Sequence, residues 1–425
     1  MNTSSNGTTV ADHLPGPAER AFTVLILLMS TSAFMCLVTV TGQYADEPGI
    51  TGKLVAGSIY LITFLLLRRH CGFWSTIWRA RWVIALASFA VLSTLWSEDP
   101  STSFRKGVSL GATALFGIYF ASRYPISEQI RLLARMCAVA MVCSLVFGLL
   151  GLGQSVDGLE GWYGIYVQKN SLGRMAVLSA LVFWYLAKTD ARAKWAARAG
   201  VLLSLVLIYL SNSMTARMAL PLLFGVQLLL HVFRRSRRWG MALLGLGVGV
   251  GVPVIRWALM NMQIATQAVG RDLSLTGRVQ LWIFCAFMAL QRPWLGYGYY
   301  AFWQGMNGPS SRILVALNIG MPHAHNGFID IWLTLGLVGV AIFAAGFITY
   351  LVRAFSFLDW QSPCSWWPLM YFAFIFLYDL TESTLLVPNS LFWALYAATA
   401  FSVSAQSERE PVPLPLGRHQ IAYGR

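Results

Sequence analysis

Two histidines and an asparagine precede an apolar stretch in the last third of the chain. His323, His325 and Asn326 lie in PHAHNGFIDIWLTLGLVG, which continues with the pattern of a buried helix. An imidazole with its ordinary pKa of about 6.5 can accept a proton at neutral pH, so a histidine here could serve as a general base. Gly336 follows His325 by about three helical turns, which predicts that both lie on one helix face, roughly 16 Å apart. Small residues on that face predict a closely packed neighbouring helix, with His325 turned into the protein.

Cations stand at several other predicted helix starts. The stretches WSEDPSTSFRKG, YVQKNSLGR, SNSMTAR and SLTGRVQLW contain, in that order, Arg105, Lys169, Arg217 and Arg278, and Thr276 is the predicted N-cap of the last. A helix N-terminus already carries about half a positive charge and normally attracts Asp or Glu, so cations there predict a bound anion. Backbone N–H groups and guanidinium forks together suit phosphate. The alternative is that these side chains reach the membrane surface and contact lipid head groups.

The composition indicates a membrane protein. Of the 425 residues, 57% are hydrophobic and 11% charged, whereas soluble domains have roughly 45–50% and 25%. The formal net charge of +14 could indicate nucleic-acid binding, but a basic excess in so apolar a chain is typical of cytoplasmic loops. We therefore expect no nucleic-acid partner. The six cysteines have neither the spacing of a disulfide framework nor that of a metal site.

The apolar runs predict an all-α polytopic membrane protein with about twelve transmembrane helices. The predicted organisation is a cytoplasmic tail (1–20), transmembrane helices 1–9 (21–260), a large helical periplasmic loop (261–322), transmembrane helices 10–12 (323–404) and a disordered cytoplasmic tail (405–425). Most of the 31 Lys and Arg residues fall in alternate loops. By the positive-inside rule, both termini are then cytoplasmic and the cationic helix starts face the other side.

Aromatic residues are concentrated in the predicted outer loop, after a turn indicated by Pro293, Gly296 and Gly298. Their rings could stack on sugar faces or lie at the level of the lipid head groups, and the second use is the commoner one. The residues concerned are Trp294, Tyr297, Tyr299, Tyr300, Phe302 and Trp303.

These stretches resemble the bacterial O-antigen ligase and O-antigen polymerase superfamily. HNGFIDIWLTLG fits the family's His-Asn-x9-Gly pattern, and WSEDPSTSFRKG, QKNSLG, the Thr-Ala-Arg and Thr-Gly-Arg triplets and RPWLGYGYYAF lie in the family's order between Trp96 and Gly339. The resemblance implies a glycosyltransferase of the lipid-linked-donor (GT-C-like) type, with a large periplasmic loop between helices 9 and 10. Its donor would be a glycan on undecaprenyl diphosphate, and its active site would face the periplasm.

The resemblance assigns roles residue by residue. His325 corresponds to the family's essential histidine, and Arg217 and Arg278 correspond to its two essential arginines. Lys169 and Arg105 are expected to assist these arginines in binding the diphosphate. The remaining expected positions are supporting ones: Gln168, Asn170, His323, Asn326 and Gly336. For His323 the alternative is an ordinary histidine at the membrane interface.

The expected reaction is inverting and independent of metal. A diphosphate leaves readily once fixed positive groups match its developing charge. The carboxylates of the outer stretches are scattered without the paired spacing of a metal site, so we expect neither a metal nor another cofactor. These carboxylates are Asp99, Asp157, Glu160, Asp272, Asp330, Asp379 and Glu382.

The function we predict is that of an O-antigen ligase in the bacterial inner membrane. It would deliver the glycan to a sugar hydroxyl of the lipid A core during lipopolysaccharide biosynthesis, in contact with membrane lipids. One long outer interval with short neighbours favours the ligase over an O-antigen polymerase. A protein O-oligosaccharyltransferase is the other alternative within the superfamily. A transporter or flippase of an anionic solute is the alternative of another class, but the sequence has no convincing internal repeat. The glycan, the acceptor sugar and the oligomeric state stay open.

Overall fold

The computed structural model describes residues 15–34, 57, 60–65, 67, 73–154, 161–260, 274–318 and 323–407. Regular secondary structure in these ranges is helical, apart from an isolated bridge between Gln154 and Trp162. The prediction of an all-α chain is confirmed there. Asp157, Glu160, Asp272, most of the two predicted tails and parts of the predicted periplasmic loop lie outside the described residues. The helix that carries Arg278 begins at Ser274, so Thr276 lies inside it and the predicted N-cap at Thr276 is wrong.

Fourteen α-helices lie in the described ranges. In chain order they are α1 (Pro17–Met29), α2 (Phe73–Arg79), α3 (Arg81–Leu92), α4 (Pro100–Arg123), α5 (Ile126–Leu149), α6 (Lys169–Thr189), α7 (Lys194–Leu210), α8 (Met214–Arg235), α9 (Arg237–Met260), α10 (Ser274–Gln291), α11 (Ser311–Leu317), α12 (Gly327–Ser356), α13 (Trp366–Asp379) and α14 (Leu391–Ser407). Short 3-10 turns lie at Ser93–Leu95, Gly305–Asn307 and Pro363–Ser365.

The chain forms two compact units. The first contains the described residues within 1–53 and 123–213, and the second those within 54–122 and 214–425. In the first unit α5 contacts α1, α6 and α7, and α6 also packs along α7. Residues 175–183 of α6 are all buried, because a helix that is apolar on every side is covered on every side.

In the second unit α12 is the central helix. It contacts α3, α10, α13 and α14, while α8 packs against α9 and α13. Large aromatic side chains fill the space between these helices, and Trp367, Tyr371, Trp393 and Tyr396 are almost completely buried. Because interiors pack as densely as organic crystals, such large buried rings hold α12, α13 and α14 in a defined arrangement.

Three helices of the described ranges are long and apolar enough to cross a membrane. They are α5, α8 and α12, with 24, 22 and 30 residues, and a bilayer core of about 30 Å needs about 20 residues. Shorter apolar helices lie at Arg81–Leu95, Arg278–Gln291 and Leu391–Ala405. The result supports a membrane protein. The total of about twelve spans is not confirmed and stays a prediction.

A compact apolar core occupies the described part of the predicted outer loop. Tyr297 and Phe302 are 4% and 0% exposed and pack with Cys285, Met288 and Leu333. Tyr299 is also buried. Neither interpretation of the aromatic cluster holds for these three rings, since stacking on a sugar and anchoring at head groups both require an accessible face. Their burial reflects the loop's packing against α10 and α12. Only Trp294, 68% exposed, keeps an open ring, and Tyr300 and Trp303 are partly buried.

Candidate active site

The predicted catalytic histidine lies just before α12. Asn326 is the N-cap of this helix, and its side-chain oxygen accepts hydrogen bonds from the backbone N–H groups of Phe328 and Ile329, both at 3.1 Å. Asn is a preferred N-cap residue because it satisfies donors that the first helical turn leaves open. His325 precedes the cap with φ 51, a conformation uncommon for residues other than glycine. The helix therefore begins after the histidine.

Glu382 is the partner of His325. The imidazole Nδ1 and the carboxylate Oε2 are 3.4 Å apart, and the two side chains are only 13% and 6% exposed. A carboxylate that accepts the Nδ1–H of an imidazole selects the tautomer whose Nε2 can take up a proton. The pair thus has the arrangement of an oriented general base.

Arg278 joins the same carboxylate. Its Nη2 donates to Oε1 of Glu382 at 3.3 Å, and its Nη1 donates to the carbonyl oxygen of Thr381 at 2.8 Å. Two of the five N–H donors of the guanidinium are engaged by these bonds. The structure therefore brings His325 and Arg278 together through Glu382, which we call the His–Glu–Arg cluster.

Sequence reasoning missed the role of Glu382, because it treated the outer carboxylates as scattered. A signal was present in YDLTEST, where Asp379 ends an apolar helix and Glu382 follows it. Ionisable residues at such positions are costly and mark functional sites by default. What the sequence did not indicate is which of the carboxylates lies beside the histidine.

Asp330 and Trp282 hold the histidine loop in place. The carboxylate of Asp330 accepts the backbone N–H of Ala324 at 3.2 Å, the indole N–H of Trp303 at 2.8 Å and the hydroxyl of Ser383. The indole N–H of Trp282 donates to the carbonyl oxygen of Ala324 at 2.9 Å. Both polar groups of the Ala324 backbone are thereby fixed, and this rigid loop sets the position of the next residue, His325.

The supporting residues of the histidine motif meet the segment after α13. The Asn326 amide donates to the carbonyl oxygen of Leu380 at 3.2 Å. Gly327 lies so close to Asp379 that an added Cβ would be 2.0 Å from the carboxylate oxygen, which only glycine permits. His323 accepts the backbone N–H of His325 on its Nδ1 at 3.2 Å, and the two rings are 4.1 Å apart.

The prediction that Gly336 shares a regular helix face with His325 was wrong. The residue has φ 67 and ψ −171, which breaks α12 instead of continuing it. The space is taken by a loop and not by a neighbouring helix, since a Cβ there would be 2.2 Å from the backbone carbonyl of Trp294. The N–H of Tyr297 donates to Leu333 and that of Leu337 to Pro293, at 2.9 and 2.8 Å. His325 and Gly336 therefore do not share a face of one regular helix.

The stretch that carries Arg105 docks on the same loop. The indole N–H of Trp96 donates to the carbonyl oxygen of Leu295 at 2.9 Å. The hydroxyl of Ser103 donates to the backbone carbonyl oxygen of Tyr299 at 2.7 Å. Arg105 itself donates to Thr102 on its own helix at 3.4 Å. WSEDPSTSFRKG and RPWLGYGYYAF, far apart in sequence, thus form one structural element of the second unit.

The other predicted diphosphate residues begin helices of their own. Arg217 is half-buried in the first turns of α8, in the second unit. Gln168 and Lys169 occupy the N-cap and first position of α6, in the first unit. Asn170 accepts the hydroxyl proton of Ser213 at 3.1 Å. Arg278 is therefore the predicted cation that the described contacts join to His325.

A polar cavity of about 840 Å3 lies beside the loop in the second unit. Gln291, Gln304, Asn307 and Ser311 line it with amide and hydroxyl groups. Trp303, which precedes the lining residue Gln304 in the sequence, donates a hydrogen bond to Asp330. Amides and hydroxyls both donate and accept hydrogen bonds, as the hydroxyls of a sugar require.

The fold and the site define a helical membrane-type protein with an oriented imidazole beside a guanidinium. Residues 199–344 match the O-Antigen ligase family model. The chain is 26% identical over 359 residues to the Exopolysaccharide production protein ExoQ of Rhizobium meliloti (strain 1021), a similarity that covers 81% of this chain and 82% of that protein. These matches support the O-antigen ligase superfamily, and the resemblance predicted from the sequence is confirmed at that level. The matched range includes Arg217, Arg278 and His325, whereas Glu382 lies beyond it.

Proposed function

We propose that the chain is a glycosyltransferase that moves a glycan from undecaprenyl diphosphate to a sugar hydroxyl. The His–Glu–Arg cluster carries this proposal, because it combines a group that can accept a proton with a group that can bind a phosphate. The family match supports a role in polysaccharide biosynthesis. The active site would face the periplasm, with both termini of this inner-membrane protein in the cytoplasm.

His325 would act as the general base. Its Nε2 takes the proton of the acceptor hydroxyl while that oxygen attacks the anomeric carbon of the donor. The new carbon–oxygen bond forms on the face opposite the diphosphate, and the bond to the diphosphate oxygen breaks. Inversion at the anomeric carbon follows, undecaprenyl diphosphate leaves, and the proton remains on the imidazole, where the carboxylate of Glu382 stabilises it.

Cationic side chains would match the charge that develops on the leaving diphosphate. Arg278 keeps donors beyond those used by Thr381 and Glu382, and Arg217 is proposed as the second principal cation. Lys169 and Arg105 would assist. Fixed donors aimed at developing charge are often the largest single contribution to catalysis, so no metal is required in this proposal.

Two acceptors are candidates. The first is the lipid A core oligosaccharide, as in an O-antigen ligase. The second is another repeat unit, as in a polymerase, and it is favoured by the relative's name, which refers to exopolysaccharide production. The same donor site serves both reactions. Glycans from a deletion strain distinguish them, because loss of a ligase leaves polymer on the lipid carrier, whereas loss of a polymerase leaves single repeats.

The decisive experiment is transfer of a glycan from a synthetic lipid diphosphate donor by purified protein. We expect His325→Ala to lose about a hundredfold to ten-thousandfold in rate, while the protein is produced and inserted normally. His323→Ala is the matched comparison, since it removes an imidazole 4.1 Å away that has no proposed proton-transfer role, and we expect a smaller loss. Transfer by His325→Ala at the wild-type rate would exclude the histidine from the mechanism.

A further inference from the structure

Four arginines surround a polar cavity of about 490 Å3 in the first unit. They are Arg20 on α1, Arg131 and Arg135 on α5, and Arg192 after α6, and Glu128 and Asp190 also line the cavity. Arg131 forms ion pairs with both carboxylates. Four positive and two negative groups leave a net charge of +2 around the cavity, so its chemistry suits an anion.

Arg20 supplies a second observation that points to a ligand. Its Nε is buried and has no hydrogen-bond partner among the described residues. A buried donor without a partner costs free energy that an acceptor would recover. Because Arg20 lines the polar cavity, an anion held there is suitably placed to supply that acceptor.

An apolar groove of about 680 Å3 adjoins the polar cavity, and Arg20 and Arg135 line both. Ala21, Val24, Leu25 and Leu28 form its wall at the spacing of one helix face. From Arg20 to Leu28 this face is roughly 12 Å long. A ligand with its anionic group at Arg20 would therefore find an apolar path along α1.

The N-terminal ends of α1 and α5 lie at one level. Glu19 on α1 pairs with Arg123 at 2.9 Å, and Thr23 meets Tyr124 at 3.2 Å, immediately before α5 begins. Since α5 is long and apolar enough to span a membrane, this end belongs at the level of the lipid head groups. The groove then runs from the head-group level toward the bilayer centre.

We propose that the first unit binds an anionic phospholipid, with its phosphate at Arg20 and Arg135 and one acyl chain in the α1 groove. Guanidinium forks bind phosphate through paired hydrogen bonds, and basic pockets beside transmembrane helices recognise anionic head groups. This site lies outside the His–Glu–Arg cluster and does not depend on the proposed reaction.

Native mass spectrometry of the purified protein tests the proposal. Phosphatidylglycerol and phosphatidylcholine with the same acyl chains are offered to the wild type and to Arg20→Gln/Arg135→Gln. We expect preferential retention of phosphatidylglycerol by the wild type, weakened roughly tenfold or more in the double variant. Arg198→Gln is the control, because Arg198 lies on α7 over the ring of Trp195 and lines neither cavity.

A second measurement separates the lipid from free phosphate. Thermal unfolding is followed with inorganic phosphate and with phosphatidylglycerol, for the wild type and for Leu25→Gln. Leu25 is 54% exposed in the groove, so this variant is expected to fold. We expect phosphatidylglycerol to raise the unfolding temperature of the wild type but not that of Leu25→Gln. An equal stabilisation by inorganic phosphate would overturn the lipid proposal in favour of a free anion.

Equal retention of the two lipids by the wild type would also overturn the proposal. So would undiminished retention of phosphatidylglycerol by the double variant. If the double variant does not fold, Arg135→Gln alone replaces it, because this side chain is exposed and its loss leaves the helix packing unchanged.

Discussion

Glu382 is the residue on which the candidate site depends, since its two oxygens face an imidazole and a guanidinium. With its side chain 6% exposed, the carboxylate is costly to bury alone, and the guanidinium of Arg278 together with the hydrogen bond to the imidazole offsets that cost. The consequence is a fixed relation between His325, which precedes α12, and Arg278 on α10. A proton acceptor and an anion-binding group therefore contact the same carboxylate.

For Glu382→Gln we expect a fall of about a hundredfold or more in kcat with KM little changed. The amide can donate a hydrogen bond to Nδ1, which leaves the proton on Nε2 and blocks its function as a base. Steady-state kinetics with purified protein measure the effect. Asp359→Asn removes an exposed carboxylate after α12 and is expected to retain wild-type kinetics. Equal kinetics in the two variants would contradict a positioning role for Glu382.

For Arg278→Lys we expect a severe loss of transfer, roughly hundredfold, although the charge is kept. A lysine has one nitrogen and cannot replace the two that bond Thr381 and Glu382. The same exchange at Arg256, exposed on α9, is the control. Full activity of Arg278→Lys would mean that surface charge alone is needed.

At the scale of elements, the break in α12 determines how the outer loop packs. Gly336 allows the loop at Pro293 and Trp294 to enter the helix, where Leu337 and Val338 donate backbone hydrogen bonds to it. The same loop carries the buried rings of Tyr297 and Phe302 and the contact between Trp303 and Asp330. The break thus connects the loop core to the histidine.

Gly336→Ala is expected to lower stability and transfer together. The backbone has φ 67, and a Cβ would be 2.2 Å from Trp294, so strain of about 1–3 kcal/mol adds to a steric clash. Gly225→Ala on α8 is the matched control, because nothing lies within 4 Å of its added Cβ. The control is expected to be neutral or more stable. Thermal unfolding in detergent measures both, and a Gly336→Ala protein as stable as wild type would contradict the described break.

The start of α4 provides a pH-dependent prediction. Hydrogen bonds from the side chain and backbone of Thr102 lower the pKa of Asp99. Because the folded-state pKa is lowered, the carboxylate contributes stability above its unfolded pKa of about 3.9, and this contribution is lost as the pH falls through the folded-state value. Asp99 accepts the backbone N–H of Thr102 at 3.1 Å in the first turn of α4. Asp99→Asn should keep this hydrogen bond but lose the acid sensitivity, whereas Asp99→Ala should cost about 1 kcal/mol at neutral pH. The unfolding temperatures of the wild type and the variants are compared at pH 3 and pH 7. An acid sensitivity of Asp99→Asn equal to that of the wild type would refute the predicted contribution of Asp99.

At the scale of the whole molecule, orientation in the membrane decides which substrates can reach the cluster. The distribution of Lys and Arg predicts that the outer loop faces the periplasm and that the connection after α12 is cytoplasmic. Asn307 and Asp359 are exposed positions on these two sides. The proposed donor requires the cluster to lie on the side of Asn307.

We expect Asn307→Cys, but not Asp359→Cys, to react with a membrane-impermeant maleimide in intact spheroplasts. Of the described native cysteines, Cys137 and Cys285 are buried and Cys143 and Cys364 are partly buried, so the parent protein is labelled in parallel to give the background. After lysis both variants are expected to react. Labelling of Asp359→Cys before lysis would show that the predicted topology is inverted, and it would exclude a periplasmic reaction at His325.

The sequence by itself determined those properties that depend on composition and local pattern. The apolar content indicated a helical membrane protein, and the motifs predicted the superfamily together with His325 and Arg278. Only the tertiary structure decided which groups meet. The partners His325 and Glu382 are 57 positions apart, and the loop that enters α12 at Gly336 lies about 40 residues earlier in the chain. Helical periodicity relates residues three or four positions apart, whereas contacts between distant segments arise from packing, which no local pattern encodes.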